Sequence, residues 1–509
     1  MTSTLVRILE GLDQVVPSDL AAVRSRKTLS RALNLEWPGD KDWPGANYGP
    51  ALRASRILFP TMSAICHPPP YAMSDGWAFR YYAGRCVRQH NLLSPGPMLT
   101  VSFSRAFMLE NAATLRVRIV TGIASVKARE WDACANPEDQ ADGHAIPGNP
   151  FLSHAFLNAL EVSGSATPET GWAPHHLLLE DDGGNLLAAI PLYLKSHSYG
   201  EYVFDHAWAD AWHRAGGEYY PKLQACVPFT PAPGRRILLR PHADAARHRD
   251  LLIQACQEIA ERAEVSSLHF TFLQKTEWEA LAAKGFLQRT DFQFHWLNQN
   301  FHDFEDFLGS LTARKRKQIR RERRAALENG VEVTPLTGKD ITEEHWDAFY
   351  QCYLSTGRSK WGRPYLTRKL FSVIGETMPE KILLILCRRA GRTIAGAINF
   401  IGDEALYGRN WGCIEEHPFL HFEACYYQAI DFAIARGLAR VEAGAQGAHK
   451  LARGYLPCPT YSAHWIRDSR FRAAVSDYLV HERAQVSESA HYLEGRSPFR
   501  RIPEEEVEE

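Results

Sequence analysis

From about residue 115 onwards, apolar residues alternate with polar ones or recur at helical spacing, with turn signals between the runs. Residues 115–120 alternate as a half-buried strand does. Two apolar runs, His176–Glu180 and 186–194, flank a hairpin turn signal at residues 181–185. Residues 151–163 show helical spacing instead, and they follow an Asn-Pro pair typical of a helix start.

The second half of the chain repeats this plan in the same order. A strand at residues 382–387, a turn at 388–392 and a strand at 393–401 match the first hairpin. The further matched segments, first half then second, are residues 201–204 and 404–407, helices 252–262 and 427–436, strands 267–272 and 439–444, and the pairs His295-Trp296 and His464-Trp465. This shared order favours an internal duplication over generic α/β alternation, which is the alternative. We expect an α/β fold of two tandem units, 115–300 and 301–498, each a mixed sheet flanked by helices.

Composition narrows the class of protein. The chain has 509 residues, which favours more than one domain. Apolar residues make up 45% and charged residues 23%, as is typical of a globular protein. The net charge of −1 provides no overall positive potential that would attract DNA. Ten cysteines include no Cys-x-x-Cys pair, so neither a zinc ribbon nor a disulfide framework is predicted. No apolar run is long enough to span a membrane. A cytoplasmic location is expected, and peripheral attachment to the inner membrane stays open.

The two ends of the chain differ from the rest. Residues 1–110 are rich in proline and show no sustained period, so we expect a poorly ordered leader or translation from a start codon placed too early, with Met108 nearer the true start. Residues 499–509 end in a run of glutamates, which predicts a disordered, solubilising acidic tail.

Residues 442–457 combine small and polar side chains directly after a predicted strand, where α/β proteins usually place a site. The candidates are His449 and Glu442 as bases, Gln446 with the amides around Gly444 and Gly447 as donors to a carbonyl or oxyanion, and Lys450 and Arg453, at i and i+3, as partners of a carboxylate or phosphate. The alternative is a structural histidine beside a solvated helix face. The matching segment 271–288 lacks the Gln-Gly-Ala-His-Lys sequence, which assigns the site to the second unit.

Four residues at the end of the central strand of the second unit extend this candidate site. Tyr407, Arg409, Asn410 and Trp411 could supply an aromatic wall and polar donors to a substrate. A tyrosine and a tryptophan in the core are the alternative. Histidines elsewhere are dispersed, and Pro418 interrupts the pair His417 and His421, so no metal site is predicted.

A basic helix is predicted at residues 310–328, between the units. Eight of the eleven residues 314–324 are Lys or Arg, and Arg316 and Arg320 lie at i and i+4. Like charges at this spacing repel each other, so we expect an anionic partner for residues 314–324. A tRNA, the phosphates of a CoA donor, a lipid-linked phosphate and an anionic membrane surface all fit. A merely exposed charged helix is the alternative.

Several motifs resemble a known family over residues 115–498. They are residues 149–157 with Leu160-Glu161, the strand end 407–412, Phe422-Glu423 with residues 425–427, and residues 442–457. The chain resembles the GNAT acyltransferase superfamily in its tandem FemAB-like form. More closely, it is similar to bacterial predicted N-acyltransferases of the peptidoglycan biosynthesis/recognition type.

The resemblance implies two GNAT-like units and transfer of an acyl or aminoacyl group from an activated donor to a small-molecule or lipid-linked amine, in cell-envelope metabolism. FemAB-like relatives use aminoacyl-tRNA, and classical GNAT members use acetyl-CoA. The usual pyrophosphate loop, Gln/Arg-x-x-Gly-x-Gly/Ala, is missing after Trp411-Gly412, so acyl-CoA and aminoacyl-tRNA both stay open as co-substrates, and no tightly bound cofactor is expected. The alternative function is a non-catalytic module that binds an anionic glycan precursor or tRNA.

Overall fold

Sixteen strands lie within the part of the chain that the computed structural model describes, which comprises residues 101–102, 115–137, 146–360, 364–445 and 447–500. They are β1 Val101–Ser102, β2 Arg116–Val120, β3 Trp172–Pro174, β4 His176–Glu180, β5 Leu186–Ile190, β6 Leu192–Lys195, β7 Lys222–Ala225, β8 Leu238–Leu239, β9 Ser267–Leu273, β10 Leu287–Leu297, β11 Val331–Thr337, β12 Ile382–Arg389, β13 Arg392–Ile401, β14 Ala405–Cys413, β15 Arg440–Glu442 and β16 Leu456–Ile466.

Helices connect these strands and cover the sheets. They are α1 Ala128–Ala135, α2 His154–Val162, α3 His206–Arg214, α4 Ala245–Arg262, α5 Lys275–Ala282, α6 Phe304–Ser310, α7 Ala313–Ala326, α8 Glu343–Lys360, α9 Arg368–Thr377, α10 Leu420–Phe422, α11 Gln428–Ala435 and α12 Ser469–Glu494. A π turn, Glu423–Tyr427, joins α10 to α11. A 3-10 helix, Ala448–Arg453, precedes β16. No helix among the described residues is long and apolar enough to cross a membrane.

The strands form two sheets. Five strands take the order β1-β2-β4-β5-β8, and eleven take the order β11-β12-β13-β14-β15-β10-β16-β9-β7-β6-β3. Most neighbours are antiparallel, but β14 runs parallel to β15 and β7 runs parallel to β9. Apolar residues on both faces of the large sheet are covered by helices. The prediction of an α/β fold built on a mixed sheet flanked by helices is confirmed.

An exchange of strands at the centre of the large sheet joins its two halves. The strand β10 pairs with β15, while β16 pairs with β9, and β10 and β16 pair with each other. The ladder between β10 and β16 runs from Leu287, opposite His464, to His295, opposite Leu456. Each half of the chain therefore supplies one strand that pairs within the other half's part of the sheet.

Two predicted strands in the first half are wrong. Residues 186–194 are not one strand, because Pro191 lacks the N–H of a ladder residue and divides them into β5 and β6, which join different sheets. Residues 201–204 form no strand, and β7 takes the place that β14 has in the second half, since β7 is the strand parallel to β9.

Parts of the predicted ends lie outside the described residues. This holds for nearly all of the predicted leader and for residues 501–509 of the predicted tail. Of the leader, Val101–Ser102 pairs with β2. At the other end, Phe499 bridges to Leu311, and the Arg500 N–H donates to the Ser310 carbonyl at 3.0 Å.

Candidate active site

Glu442 is the last residue of β15, at the point where β14 and β15 stop pairing. It lies opposite Tyr407 of β14 and His295 of β10. Tyr407 packs in the core that contains Phe151, whereas its neighbour on β14 packs in the core on the other face. Paired residues on adjacent strands point to the same face, so Glu442 lies on the Phe151 face.

The Glu442 carboxylate is buried and only half satisfied. Its Oε1 accepts a hydrogen bond from Arg440 Nε at 3.0 Å. Its Oε2 lies 3.8 Å from His295 Nε2 and has no hydrogen-bond partner among the described residues. Burial raises the pKa of Glu442 to about 7, and Arg440 offsets only part of that effect. Burial also lowers the pKa of His295 to about 3, helped by Arg440 and Lys450, so the imidazole is neutral near pH 7.

A β-bulge on β14 lies two residues beyond Tyr407, the residue that pairs with Glu442. Asn410 pairs with Ile398 and Gly408 pairs with Asn399, so Arg409 is the extra residue. Its Nη2 donates to the Phe229 carbonyl. Its guanidinium lies about as far from the Phe151 ring as from the Tyr202 ring, at 6.0 and 5.9 Å.

Arg409 and Asn410 supply the polar edge of an apolar pocket. The other lining residues are Phe156, Leu160, Pro228, Phe229, Thr230, Leu366, Leu370, Phe371, Ile374, Ile398 and Phe400. No carboxylate of a described residue forms an ion pair with Arg409, and burial lowers its pKa. A half-buried cation without an acidic partner among the described residues, at the edge of an apolar pocket, is suited to hold an anionic or carbonyl oxygen of a ligand.

The structure separates His449 from Glu442. His449 is exposed, and its Nε2 lies 3.0 Å from the Tyr426 hydroxyl and its ring 5.4 Å from the Phe422 ring. Phe422 and Tyr426 belong to the helical layer that covers the other face of the sheet. The two predicted bases therefore do not meet in one site in this structure.

Lys450 and Arg453 are buried and bonded within the protein. Lys450 Nζ donates to the Ala443 and Gly444 carbonyls at 2.5 and 3.0 Å, and burial lowers its pKa to about 8. Arg453 Nη2 donates to Glu322 Oε2 at 2.7 Å, and its guanidinium lies 3.4 Å from the centre of the Phe422 ring. As bonded here, both cations hold the segment after β15 in place, and their predicted contact with a ligand stays a prediction.

The remaining predicted residues have different positions. Gln446 lies outside the described residues. Gly444 and Gly447 have φ angles of 75° and 100°, which only glycine adopts readily. Trp411 packs against His421 with ring centres 5.3 Å apart, on the side of the helical layer.

The basic segment lies on α7, which begins after Thr312. Ile319, Glu322 and Ala326 form the buried face of this helix. Glu322 on that face accepts from Arg453 and from the Tyr427 hydroxyl. Arg316 donates to the Gly309 carbonyl at 3.2 Å, and Arg320 forms an exposed ion pair with Glu305. The residues that stay exposed without an ion pair to any described residue form a stripe along one side of the helix, namely Arg314, Lys317, Arg321 and Arg324.

The densest group of buried charges lies in the first half, where the sequence predicted no site. Lys222 Nζ donates to Ser198 Oγ at 2.8 Å, to Glu201 Oε2 at 2.7 Å and to Asp205 Oδ2. Burial raises the pKa of Glu201 to about 7, while Asp205 has a lowered pKa because the effect of Lys222 and other partners exceeds that of its burial. No periodic pattern of apolar and polar residues in the sequence indicates this cluster, because its members come from β7 and from an irregular loop.

A pair of histidines extends the cluster across the exchanged strands. His269 Nδ1 and His464 Nδ1 lie 2.7 Å apart, and the Tyr219 hydroxyl, which donates to Asp205 at 2.7 Å, lies 3.4 Å from His269 Nε2. Burial lowers the pKa of both histidines, that of His269 to about 3. The matched His-Trp pairs were the only signal in the sequence for this contact.

A comparison with protein-family models identifies the family. Residues 122–501 match the FemAB-like model, which is described as peptidoglycan biosynthesis/recognition. The chain belongs to the FemAB-like family. The predicted resemblance is therefore confirmed, and the match spans both halves of the sheet.

Solved structures show distant likenesses to this FemAB-like chain. FemX is 12% identical with a TM-score of 0.44, and the match covers 69% of this chain and 98% of FemX. L-PGS from Bacillus licheniformis is 10% identical with a TM-score of 0.39, covering 67% and 96%. A tandem GNAT protein from the clavulanic acid biosynthesis pathway is 11% identical with a TM-score of 0.38, covering 69% and 98%. A search of curated proteins finds no match.

Proposed function

We propose that this FemAB-like chain transfers an acyl or aminoacyl group from an activated ester or thioester to an amine, at the end of β14 and β15. The observation that carries the proposal is Glu442, a buried carboxylate with an unpartnered oxygen and a pKa raised to about 7. An amine must lose a proton to attack a carbonyl, and a base is most effective when its pKa lies near the working pH.

In the proposed reaction Glu442 accepts one proton from the acceptor ammonium. The neutral nitrogen then forms a bond to the donor carbonyl carbon, and the bond from that carbon to the oxygen or sulfur of the leaving group breaks. The leaving group takes up the proton that Glu442 removed, so the carboxylate is regenerated, and the attacking nitrogen releases its second proton to solvent water as the amide forms. Arg409 and Asn410, at the bulge on the neighbouring strand β14, would orient the carbonyl or an anionic group of the substrate.

Membership of the FemAB-like family supports cell-envelope metabolism as the setting. We propose a lipid-linked or soluble peptidoglycan precursor with a free amine as the acceptor, and an aminoacyl-tRNA as the donor. An acyl-CoA is the competing donor. The exposed stripe of Arg314, Lys317, Arg321 and Arg324 would contact the phosphates of either the donor or the acceptor.

The test is a transfer assay with the purified full chain. An aminoacyl-tRNA, acetyl-CoA and a longer acyl-CoA are each incubated with an amine-bearing precursor, and the product is read by mass spectrometry. We expect an added acyl or aminoacyl mass with at least one donor, and its loss in Glu442→Gln. If no donor yields an adduct, or if Glu442→Gln is as active as the wild type, the proposal fails.

The same basic stripe favours one second candidate, a module that binds an anionic glycan precursor or tRNA without chemistry. Four exposed cations at helical spacing, none in an ion pair with a described residue, are well placed for phosphates. Saturable, salt-dependent binding of the precursor by a chain that is inactive with every donor would favour this candidate. Binding that survives Arg314→Gln, Lys317→Gln and Arg321→Gln together would count against it.

A further inference from the structure

A three-residue cluster at the start of α4 lies apart from the site described above. It consists of His242, Asp244 and His248, and one ligand atom from each lies within 4.8 Å of the others. The helix α4 connects the parallel strands β7 and β9 in the first half of the sheet. The cluster therefore belongs to the half that does not carry Glu442.

His248 is the fixed member of the cluster. It is 3% exposed, and its Nδ1 has no hydrogen-bond partner among the described residues. A buried imidazole nitrogen without a partner loses the hydrogen bond that water would give it, which is costly unless something else occupies its lone pair.

Asp244 supplies an independent sign of a ligand. It stands at the N-cap of α4, where an aspartate normally accepts from a backbone N–H of the first turn, yet its side chain makes no capping hydrogen bond. Its Oδ2 lies 3.9 Å from His242 Nδ1 instead. The carboxylate is thus kept beside the imidazoles rather than used by the helix.

His242 and Asp244 have room to adjust around the fixed ring. Both are exposed, and the His242 and His248 ring centres are 5.3 Å apart. His242 Nδ1 accepts the Asp244 N–H at 3.0 Å, and a metal ion bound to His242 would replace this hydrogen bond, because a neutral imidazole has one nitrogen lone pair. Ligand atoms around a tetrahedral zinc ion lie about 3.4 Å apart for bonds near 2.1 Å, so small rotations of the two exposed side chains would close the site.

We propose that His242, Asp244 and His248 bind a divalent transition metal ion, with zinc as the best match. Two imidazoles and one carboxylate are a borderline nitrogen and oxygen set that zinc takes readily, with a fourth position left to water. The partial positive charge at the N-terminus of α4 and the charge of Arg247 weaken the binding of a cation at this cluster, and the negative charge of the Asp244 carboxylate offsets this effect. The site would fix the loop before α4 and leave the metal open to solvent.

The test is calorimetric titration of Zn²⁺ into the full chain, purified without a histidine tag and stripped with a chelator. We expect one equivalent to bind, with an affinity at least about tenfold weaker in His242→Ala and in Asp244→Asn. Both residues are exposed, so these variants should fold. His491→Ala, which removes another exposed histidine, is the matched control and should bind as the wild type does.

A second readout separates this site from the transfer reaction. Zinc should raise the unfolding temperature of the wild type and of Glu442→Gln, but not that of His242→Ala. No saturable binding by the wild type, or equal binding by the wild type and His242→Ala, would overturn the proposal. Neither result bears on whether the chain transfers acyl groups.

Discussion

Glu442 and His269 occupy equivalent positions in the two halves of the large sheet, and their surroundings differ sharply. Glu442 pairs with His295 on one exchanged strand, and His269 pairs with His464 on the other. In the first half the buried Lys222 bonds both Glu201 and Asp205, and one oxygen of each carboxylate has no hydrogen-bond partner among the described residues. In the second half Glu442 also has one oxygen without such a partner, but its cation is the partly exposed Arg440.

The difference between the Lys222 cluster and Glu442 indicates which buried charges contribute to stability and which are available for a reaction. A fully buried lysine shared by two carboxylates holds the segments around it together, whereas Glu442 has the partly exposed Arg440 as its cation and keeps one oxygen available to a substrate. On the proposed function above, the second half carries the reaction and the first half is its structural partner.

The largest expected effect tests that division directly. Glu442→Gln should lower kcat by about two to four orders of magnitude, since an amide cannot accept the proton. Its unfolding temperature should not fall, because a neutral side chain avoids burying a charge. His269→Gln should do the reverse, with kcat unchanged and a lower unfolding temperature. Steady-state rates and thermal unfolding of both variants decide it, and a loss of rate in His269→Gln alone would reverse the assignment.

The next effect concerns the buried charges of the first half. Lys222→Met leaves Glu201 and Asp205 without their cation, and the free energy of unfolding should fall by about 3–5 kcal/mol. Lys450→Met, the control in the second half, removes hydrogen bonds to two carbonyls only, so we expect a loss of about 1–3 kcal/mol. Urea unfolding measures both. Equal losses would mean that the two halves do not differ in this respect.

The sequence predicted local elements of this fold well. The strand His176–Glu180 has the predicted bounds, and the basic helix and both His-Trp strands exist. Local periodicity cannot show which strands pair, so the exchange of β10 and β16 was not predictable. It also could not place β7, which follows the helix α3 and a short irregular segment.

The candidate site was predictable only in part. A cluster of polar residues after a strand pointed to Glu442, but sequence spacing does not reveal which side of a sheet each residue faces. Alternation along β15 puts Glu442 on one face, while the chain turns after it and carries His449 to the helical layer on the other. The buried partners of Lys450 and Arg453 are distant in sequence or are backbone carbonyls, so their burial left no pattern.

A smaller effect, on the pH dependence of rate and stability, follows from the raised pKa values of Glu442 in the second half and Glu201 in the first. Glu442 must be ionised to accept a proton, and its pKa is about 7, so kcat/KM should fall about tenfold per pH unit below 7. Glu201 also has a pKa of about 7, above its unfolded value of 4.5. Between pH 4.5 and 7 each carboxyl group is more protonated in the folded state than in the unfolded state. Its contribution to the free energy of unfolding therefore falls as the pH rises from about 4.5 to 7.

Glutamine variants separate the two titrations. Glu442→Gln should remove the slope of the rate profile, if residual activity is measurable, while Glu201→Gln should leave that slope and flatten only the stability profile. Rates between pH 5.5 and 8.5, roughly one unit or more on each side of the pKa, together with unfolding temperatures over the same range, give both curves. A rate profile that follows Glu201 rather than Glu442 would move the reaction to the first half.

The smallest effect compares Arg409 with Cys226, which lie two residues beyond the equivalent positions Tyr407 and Gln224. Arg409 is a half-buried cation at the edge of the pocket, without an acidic partner among the described residues, whereas Cys226 is buried in the apolar core. Arg409→Leu should raise KM about tenfold with little change in kcat, because it removes a contact that holds the ground state and the transition state alike. Cys226→Ala should change neither constant. A drop in kcat without a change in KM would make Arg409 a group that acts in the transition state, and identical KM values in both variants would remove it from the site.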